Sequence, residues 1–171
     1  MTDIIWHGRG GQGAFTASRI FGAAYSLTGE NKFALAFPTF GPERRGAPIK
    51  AFTKLDDKII GNRTQIEKAD YSVFLDDTLF DESSFFDLKE NGKIIINTKK
   101  NFDDSRIIAF DGDSLALSVL KMPVVNTVML GILAKESGLV SKDEVETGIK
   151  NTMSEKLHNK NIEIIESIFR G

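Results

Sequence analysis

Short apolar runs alternate with helix-like segments along the first two thirds of the chain. Residues 3–7 and 33–37 are apolar runs of strand length, and near-continuous apolar runs recur at 71–75 and 93–97. Residues 14–27 carry apolar side chains at three- and four-residue intervals, which is the period of an amphipathic helix. Apolar runs without polar alternation are typical of strands buried on both faces of a parallel sheet. The pattern therefore predicts an α/β fold.

Two further strands complete the predicted sheet. In residues 49–55 two sets of side chains alternate: Ile49, Ala51, Thr53 and Leu55 on one face, and Lys50, Phe52 and Lys54 on the other. This alternation predicts an antiparallel strand at the edge of the sheet, with one face more exposed to water. Residues 106–110 form the last strand candidate. The segment 83–88 can turn helically, and Asn91-Gly92 is predicted to turn the chain back into the strand at 93–97.

The C-terminal part of the chain has a helical pattern. Asp111 is predicted to cap one helix, and Ser141 with Glu144 three residues later predicts a capping box for another. Helices are predicted over residues 114–120, 124–137, 141–151 and 161–169. Because no repeat or linker-like stretch interrupts the sequence, we expect residues 1–171 to form one domain. The predicted fold is a three-layer α/β/α Rossmann-like sandwich with a mixed, mainly parallel sheet.

Composition excludes several classes of function. The 22 basic and 24 acidic residues nearly cancel, which disfavours binding to nucleic acid or to an anionic membrane. The absence of cysteine excludes disulfides and thiolate ligation of an iron–sulfur cluster within this chain. No apolar run approaches the roughly 20 residues that span a bilayer. We expect a cytoplasmic protein with no metal site, since its two histidines lie far apart in sequence.

A glycine motif follows the first predicted strand. Gly8-Arg9-Gly10-Gly11-Gln12-Gly13 has the spacing G-x-G-x-x-G and lies between a strand and a helix. In that position glycines let a phosphate approach the backbone, and the start of the helix attracts negative charge. Arg9 and Gln12 add side-chain donors for an oxyanion. The alternative is that the glycines only allow the helix to pack closely against the sheet.

The residues after the second predicted strand disfavour a dinucleotide site. Such a site calls for an acidic residue at this position to bind the ribose hydroxyls. The sequence instead continues Phe37-Pro38-Thr39, without a carboxylate. An NAD-dependent enzyme is therefore the weakest hypothesis, while another phosphate-bearing ligand, coenzyme A among them, stays open.

The second strand leads into a proline-rich basic segment. Glu43-Arg44-Arg45 is framed by Gly41-Pro42 and Gly46-Ala47-Pro48, so two guanidinium groups lie on a stiffened loop. If this loop and the glycine turn share the ligand-facing edge of the sheet, they can clamp one polyphosphate together. The alternatives are solvated or ion-paired arginines, or a loop that docks a partner chain.

Two other polar positions lie at the ends of predicted strands. His7 ends the first strand, where we interpret it as a structural hydrogen-bonding residue beside the site. Asp76-Asp77 comes after the strand at 71–75, and we interpret this pair as the cap of the next turn.

The two loop segments together resemble the signatures of a known family. Residues 6–13 and 37–48 are similar to the two signatures of the gamma subunit of 2-oxoacid:ferredoxin oxidoreductases. The resemblance continues through residues 71–78, 92–98 and 123–131, and it weakens in the last twenty residues. The Glu-Arg-Arg-Gly-Ala-Pro form resembles the pyruvate and branched-chain members more than the 2-oxoglutarate members.

The resemblance implies a subunit of an enzyme that converts pyruvate to acetyl-CoA and passes electrons to ferredoxin or flavodoxin. It implies partner alpha, beta and delta subunits, which hold the thiamine diphosphate, Mg²⁺ and iron–sulfur clusters. It gives this chain no catalytic and no metal-binding residue, and associates it with coenzyme A. The alternatives are a purely structural assembly subunit and a branched-chain 2-oxoacid enzyme. The binding residues carried over are Gly8, Arg9, Gly10, Gly11, Gln12, Gly13, Glu43, Arg44 and Arg45.

Overall fold

A computed structural model describes residues 1–42 and 44–171 of the chain. Its strands are β1 (Thr2–Arg9), β2 (Phe33–Pro38), β3 (Pro48–Asp56), β4 (Ala69–Phe74), β5 (Leu88–Asn97) and β6 (Ile107–Phe110). Its α-helices are α1 (Ala14–Ser26), α2 (Gly112–Leu120), α3 (Asn126–Ser137), α4 (Lys142–Thr152) and α5 (His158–Arg170). Among these described residues, no helix is both long and apolar enough to cross a bilayer.

The strands form one mixed sheet in the order β2-β3-β1-β4-β5-β6. The pairs β1/β4, β4/β5 and β5/β6 are parallel, whereas β3 is antiparallel to both β1 and β2. Since β2 and β1 both oppose β3, they run in the same direction, and their carboxyl ends lie at the same edge of the sheet. The prediction of an α/β fold with a mixed, mainly parallel sheet is confirmed.

Two local predictions about strands are wrong. Strand β3 is antiparallel as expected, but it lies inside the sheet between β2 and β1. The lysine at position 54 made this face of β3 look exposed to water. In the structure the aliphatic part of the Lys54 side chain is buried, and its ammonium group donates a hydrogen bond to the carbonyl of Asn62 at 3.0 Å. Asn91-Gly92 is not a turn, since β5 runs through it; the pairing of β5 with β4 instead shifts register between Ala69 and Tyr71.

The two faces of the sheet are covered differently. Side chains of all five α-helices join one large core with Ile4, Trp6, Val73 and Ile95 of the sheet. The alternate residues of the same strands enter two smaller clusters, which short 3₁₀ helices and loops cover. The smaller clusters are centred on Ile5, Phe52, Phe74, Ile94 and Ile96.

The predicted helix caps are present. The side chain of Asp111 accepts a hydrogen bond from the amide of Ser114 at the start of α2. Ser141 and Glu144 form the predicted capping box of α4. Helices α1 and α3 begin without a side-chain cap, so the first amides of α1 have no side-chain acceptor at Gly13.

Candidate functional site

The glycine turn (residues 8–13) lies against the loop of residues 39–47, which we call the Arg loop. The amide of Gly10 donates to the carbonyl of Ala47 at 2.8 Å, and the amide of Gly46 donates to the carbonyl of Gly10 at 3.0 Å. A Cβ atom on Gly10 would overlap the carbonyl oxygen of Arg44, so only glycine fits at this position. The prediction that the two elements meet at one edge of the sheet is confirmed.

All the guanidinium nitrogens of Arg9 have protein partners. One terminal nitrogen donates to the carbonyl of Gly46 at 3.1 Å, and the other donates to the hydroxyl of Thr78 at 2.9 Å. Its Nε atom lies 3.3 Å from a carboxylate oxygen of Asp76. Arg9 therefore links the Arg loop to the turn after β4, and the charge predicted to face a phosphate is already neutralised.

Gln12 is held by the same carboxylate. Its amide nitrogen donates to Asp76 at 3.1 Å, and its side-chain oxygen accepts a hydrogen bond from the amide of Arg9 at 2.7 Å. Burial opposes the charge of Asp76, but hydrogen bonds from Thr78 and Gln12 and the charge of Arg9 outweigh it and lower the pKa of the carboxyl. Asp76 also caps the following turn, as predicted. It is thus a charged carboxylate at the centre of the edge at neutral pH.

The role of Asp76 as the counter-charge of the glycine turn was not predicted from the sequence. The available signal was its position, because Asp76 comes after β4 and β4 pairs in parallel with β1. Carboxyl ends of adjacent parallel strands lie side by side, so an acid after β4 falls beside a base after β1.

Arg44 and Arg45 differ from Arg9. Both are exposed, and neither forms an ion pair with another residue that the structure describes. The side chain of Arg45 lies over the glycine turn, with its Cγ and Nε atoms 3.8 and 4.0 Å from the place of a Cβ on Gly11. The first turn of α1, which begins just beyond, contains no acidic residue. Glu43, the third predicted residue of this loop, lies outside the described residues.

A cavity of about 380 Å³ lies at the carboxyl ends of β1, β4 and β5. Its charged lining is mixed, with Lys99 and Lys100 facing three aspartates, Asp76, Asp77 and Asp113. An anion gains little from such a lining, since the carboxylates cancel the lysines. Among the described residues, the positive charge of this edge that neither an ion-pair partner nor a nearby carboxylate offsets is therefore on the Arg loop and not in this cavity.

His7 does not have the hydrogen bond expected of it. Its ring is only 8% exposed and stacks on Phe74, with ring centroids 4.1 Å apart and planes 2° from parallel. The buried Nε2 atom has no hydrogen-bond partner among the residues described. Burial, reinforced by the charge of Lys50, lowers the pKa of His7 to about 3, so the imidazole is neutral at neutral pH.

Comparison with known proteins identifies the family. Residues 3–170 match the family described as "Pyruvate ferredoxin/flavodoxin oxidoreductase". The "Pyruvate/ketoisovalerate oxidoreductases common subunit gamma" of Thermococcus litoralis is 42% identical over 179 residues, covering 99% of this chain and 96% of that protein.

Two solved structures share the fold. Pyruvate oxidoreductase subunit PORC from Thermotoga maritima superposes with a TM-score of 0.83 at 30% identity, covering 99% of this chain and 95% of that one. The 2-oxoglutarate:ferredoxin oxidoreductase of Magnetococcus marinus, with 2-oxoglutarate, coenzyme A and succinyl-CoA bound, gives a TM-score of 0.77 at 16% identity. There the match covers 99% of this chain but only 30% of the longer one, and shows the fold alone.

Both signature segments, residues 6–13 and 37–48, lie inside the matched region. The resemblance read from those segments is confirmed by a full-length relative and by a solved structure of the same subunit type. The chain belongs to the pyruvate ferredoxin/flavodoxin oxidoreductase family, as a subunit of the gamma type.

Proposed function

We propose that this subunit helps to bind coenzyme A while its complex oxidatively decarboxylates pyruvate to acetyl-CoA. In this proposal, partner alpha, beta and delta subunits hold thiamine diphosphate, Mg²⁺ and the iron–sulfur clusters, and ferredoxin or flavodoxin accepts the electrons. The Thermococcus litoralis relative is named for both pyruvate and ketoisovalerate, so a branched-chain 2-oxoacid is the second candidate substrate.

The observation that carries the proposal is the position of Arg45. Its side chain lies over the glycine turn, beside the uncapped start of α1, and it has no ion-pair partner in the described part of the chain. Coenzyme A carries several phosphate charges, which a guanidinium group binds with two parallel hydrogen bonds. Amides at the start of a helix add to the attraction. Part of the Magnetococcus marinus enzyme has the same fold, and that enzyme was solved with coenzyme A bound.

The contribution of Arg9 to this site is indirect. Since its three nitrogens are held by Gly46, Thr78 and Asp76, it fixes the Arg loop against the glycine turn. Phosphate binding by Arg9 itself would require displacement of the Asp76 carboxylate. We therefore assign the direct contacts to Arg44 and Arg45, and the backbone of Gly8–Gly13 to the floor beneath the ligand.

The test is a pair of substitutions in the assembled complex. Arg44→Ala with Arg45→Ala removes the two exposed guanidinium groups of the Arg loop, and each lost phosphate contact costs about 1.5–3 kcal/mol. We expect the KM for coenzyme A to rise at least about 150-fold, which corresponds to the lower value for two contacts. The decarboxylation of pyruvate on thiamine diphosphate, measured without coenzyme A, should stay within about twofold of wild type.

The matched control is Arg170→Ala, because Arg170 is an exposed arginine in the last turn of α5, where its neighbours belong to α4 and α5. That variant should keep the wild-type KM for coenzyme A. An unchanged KM in the double Arg44 and Arg45 variant would remove coenzyme A binding from this loop.

A second candidate function is assembly alone. Phe40 lies on the same Arg loop and is 76% exposed, and an exposed aromatic side chain beside arginines is typical of protein interfaces. If the loop contacts only protein, the double arginine variant should co-purify with less of its partner subunits and retain its KM for coenzyme A. Measuring both quantities on one preparation separates the two functions.

A further inference from the structure

Strand β2 is an edge strand with an open outer side. It pairs with β3 on one side, and the described residues place no strand on the other. Edge strands commonly carry lysine or another charge, which keeps them from pairing with a second chain. Here that pattern is reversed, because residues 33–42 contain no charged side chain while the interior strand β3 carries Lys50 and Lys54. The edge of β2 is therefore not protected by charge.

The hydrogen-bond pattern shows which backbone groups of β2 point outwards. The amide of Thr39 donates to the carbonyl of Lys50 at 3.0 Å, so these two residues are a hydrogen-bonded pair. Such pairs alternate along an antiparallel ladder, and the residues between them direct their backbone groups away from the neighbouring strand. In β2 the outward residues are Ala34, Ala36 and Pro38. Since proline has no amide hydrogen, the outer side of β2 offers its donors at the two alanines.

A second copy of the same strand fits these groups. If two β2 strands run antiparallel about a twofold axis at Leu35, Ala34 of each copy lies opposite Ala36 of the other. The two alanine pairs then exchange four main-chain hydrogen bonds. No like charges meet across the axis, because the strand has none. Pro38 ends the row of outward amides, so the shared ladder stops after these two pairs.

The side chains on the sheet face opposite the α-helices favour the same partner. Leu35 is half-buried and packs against the cluster that contains Phe37 and Phe52, and this cluster ends at the edge of the sheet. With the axis at Leu35, the two leucines lie opposite each other, and Phe33 of each copy lies opposite Phe37 of the other. The clusters of the two copies then join into one apolar core across the paired edges.

We propose that two copies of this chain pair through β2, antiparallel and centred on Leu35, so that their six-stranded sheets become one continuous sheet. The proposal does not depend on the proposed function, because it involves no ligand and none of the arginines of the Arg loop. It assigns the uncharged edge strand to self-association of the subunit.

The absence of cysteine from the chain allows a direct test. In Leu35→Cys the full chain carries one thiol, at the proposed twofold axis. The two opposed residues there form a pair without hydrogen bonds, with Cα atoms about 4.5 Å apart, which a disulfide spans. We expect most of this variant to become a disulfide-linked dimer under mild oxidation, as measured by non-reducing electrophoresis. Ala109→Cys, on the exposed edge strand β6 at the other end of the sheet, should stay monomeric in the same experiment.

A second variant blocks the pairing and keeps the fold of the subunit. Ala36→Pro removes an outward amide, and the hydrogen bonds between β2 and β3 remain because this amide does not face β3. We expect the dissociation constant of the dimer, measured by sedimentation equilibrium of the full chain, to rise about 30-fold, since two hydrogen bonds are lost across the axis.

The matched control for Ala36→Pro is Ala109→Pro. The carbonyl of Phe110 accepts a hydrogen bond from the amide of Thr98 beside β5, so the preceding residue, Ala109, directs its amide outwards from β6. The same substitution is thus made at an outward alanine on the opposite edge. It should leave the dissociation constant unchanged.

Three results would overturn the proposal. A wild-type chain that stays monomeric, with no cross-link in Leu35→Cys, would show that β2 does not pair with a copy. A dimer that Ala36→Pro does not weaken and Leu35→Cys does not cross-link would have its interface elsewhere. Slow hydrogen exchange at the amides of Ala34 and Ala36 in the assembled complex alone would show that a strand of a partner subunit occupies this edge. If Ala36→Pro fails to fold, the cross-link in Leu35→Cys decides.

Discussion

The end of β1 with its glycine turn lies beside the Arg loop, yet the two regions differ in how their basic side chains are placed: those of the first are paired or buried, and those of the second are exposed. Arg9 and Gln12 are bound by Asp76, and His7 is buried in its neutral form. Arg44 and Arg45 are exposed and have no ion-pair partner among the residues described. A basic residue near a glycine motif is therefore not by itself an anion-binding group. What decides its role is whether the fold also brings a carboxylate to it.

The largest expected difference between the two regions is in how they change the free energy of unfolding at low pH. Because the pKa of His7 is lowered to about 3, the unfolded chain takes up a proton on this histidine as the pH falls below its ordinary value of 6.5, while the folded chain does not. The free energy of unfolding is therefore unaffected by His7 above pH 6.5, and it falls steadily as the pH decreases from 6.5 towards 3. Between pH 7 and pH 4 we expect a loss on the order of 3 kcal/mol, measured by urea unfolding.

His7→Phe should lack this part of the pH dependence, since phenylalanine binds no proton. The double Arg44 and Arg45 variant should keep it in full, because neither arginine changes its charge in this range. Equal slopes of stability against pH in wild type and His7→Phe would show that the histidine is not held neutral, and the contrast between the regions would weaken.

A smaller effect is expected where the two regions touch. In Gly10→Ala the new methyl group meets the carbonyl of Arg44, so the Arg loop must move and its hydrogen bonds with Gly10 are lost. We expect the free energy of unfolding to fall by about 2 kcal/mol, together with weaker binding of coenzyme A. Denaturant unfolding and the KM for coenzyme A measure the two effects.

Gly61→Ala is the control, because a methyl group there meets open space. Its stability should stay within about 0.5 kcal/mol of wild type. If Gly10→Ala is equally mild, the Arg loop is not held against the glycine turn, and the two regions act independently.

Local sequence signals predicted much of the fold. The Asp111 cap of α2, the capping box of α4 and the apolar period of α1 predicted these helices within a few residues, since these signals involve neighbours in the chain. The interior position of β3 was missed because it depends on which strands pair, and the buried stem of Lys54 made one face look solvated.

The candidate site was predictable in position but not in electrostatics. The shared edge of the glycine turn and the Arg loop could be inferred from the direction of two strands. The ion pair between Arg9 and Asp76 joins residues 67 positions apart, so no local sequence pattern predicts it. The Nε2 atom of His7 is buried without a hydrogen-bond partner among the residues described, and this depends on what packs around the ring, which only the structure shows.

The smallest expected effect comes from removing the carboxylate charge beside Arg9, which makes the glycine turn similar to the Arg loop in its charge. Asp76→Asn keeps a side chain that can cap the turn after β4, but it removes the negative charge beside Arg9. The pKa of Asp76 is lowered in the folded chain, so its charged form stabilises the protein at neutral pH, and the substitution should cost about 1 kcal/mol. Arg9 then resembles Arg45, as a guanidinium group without an ion-pair partner among the described residues. We expect the adenosine bisphosphate end of coenzyme A, used as a competing fragment, to bind the complex about threefold more tightly, as measured by its inhibition constant against coenzyme A.

The control for that substitution is Asp104→Asn, which removes an acid paired with Arg106 away from the edge and should leave the inhibition constant unchanged. Unaltered inhibition in Asp76→Asn would mean that Arg9 cannot reach the ligand even when its carboxylate partner is neutral. Arg9 would then serve only to link the Arg loop to the turn after β4. Tighter inhibition would instead show that Asp76 sets how much of the glycine turn's positive charge a phosphate can use.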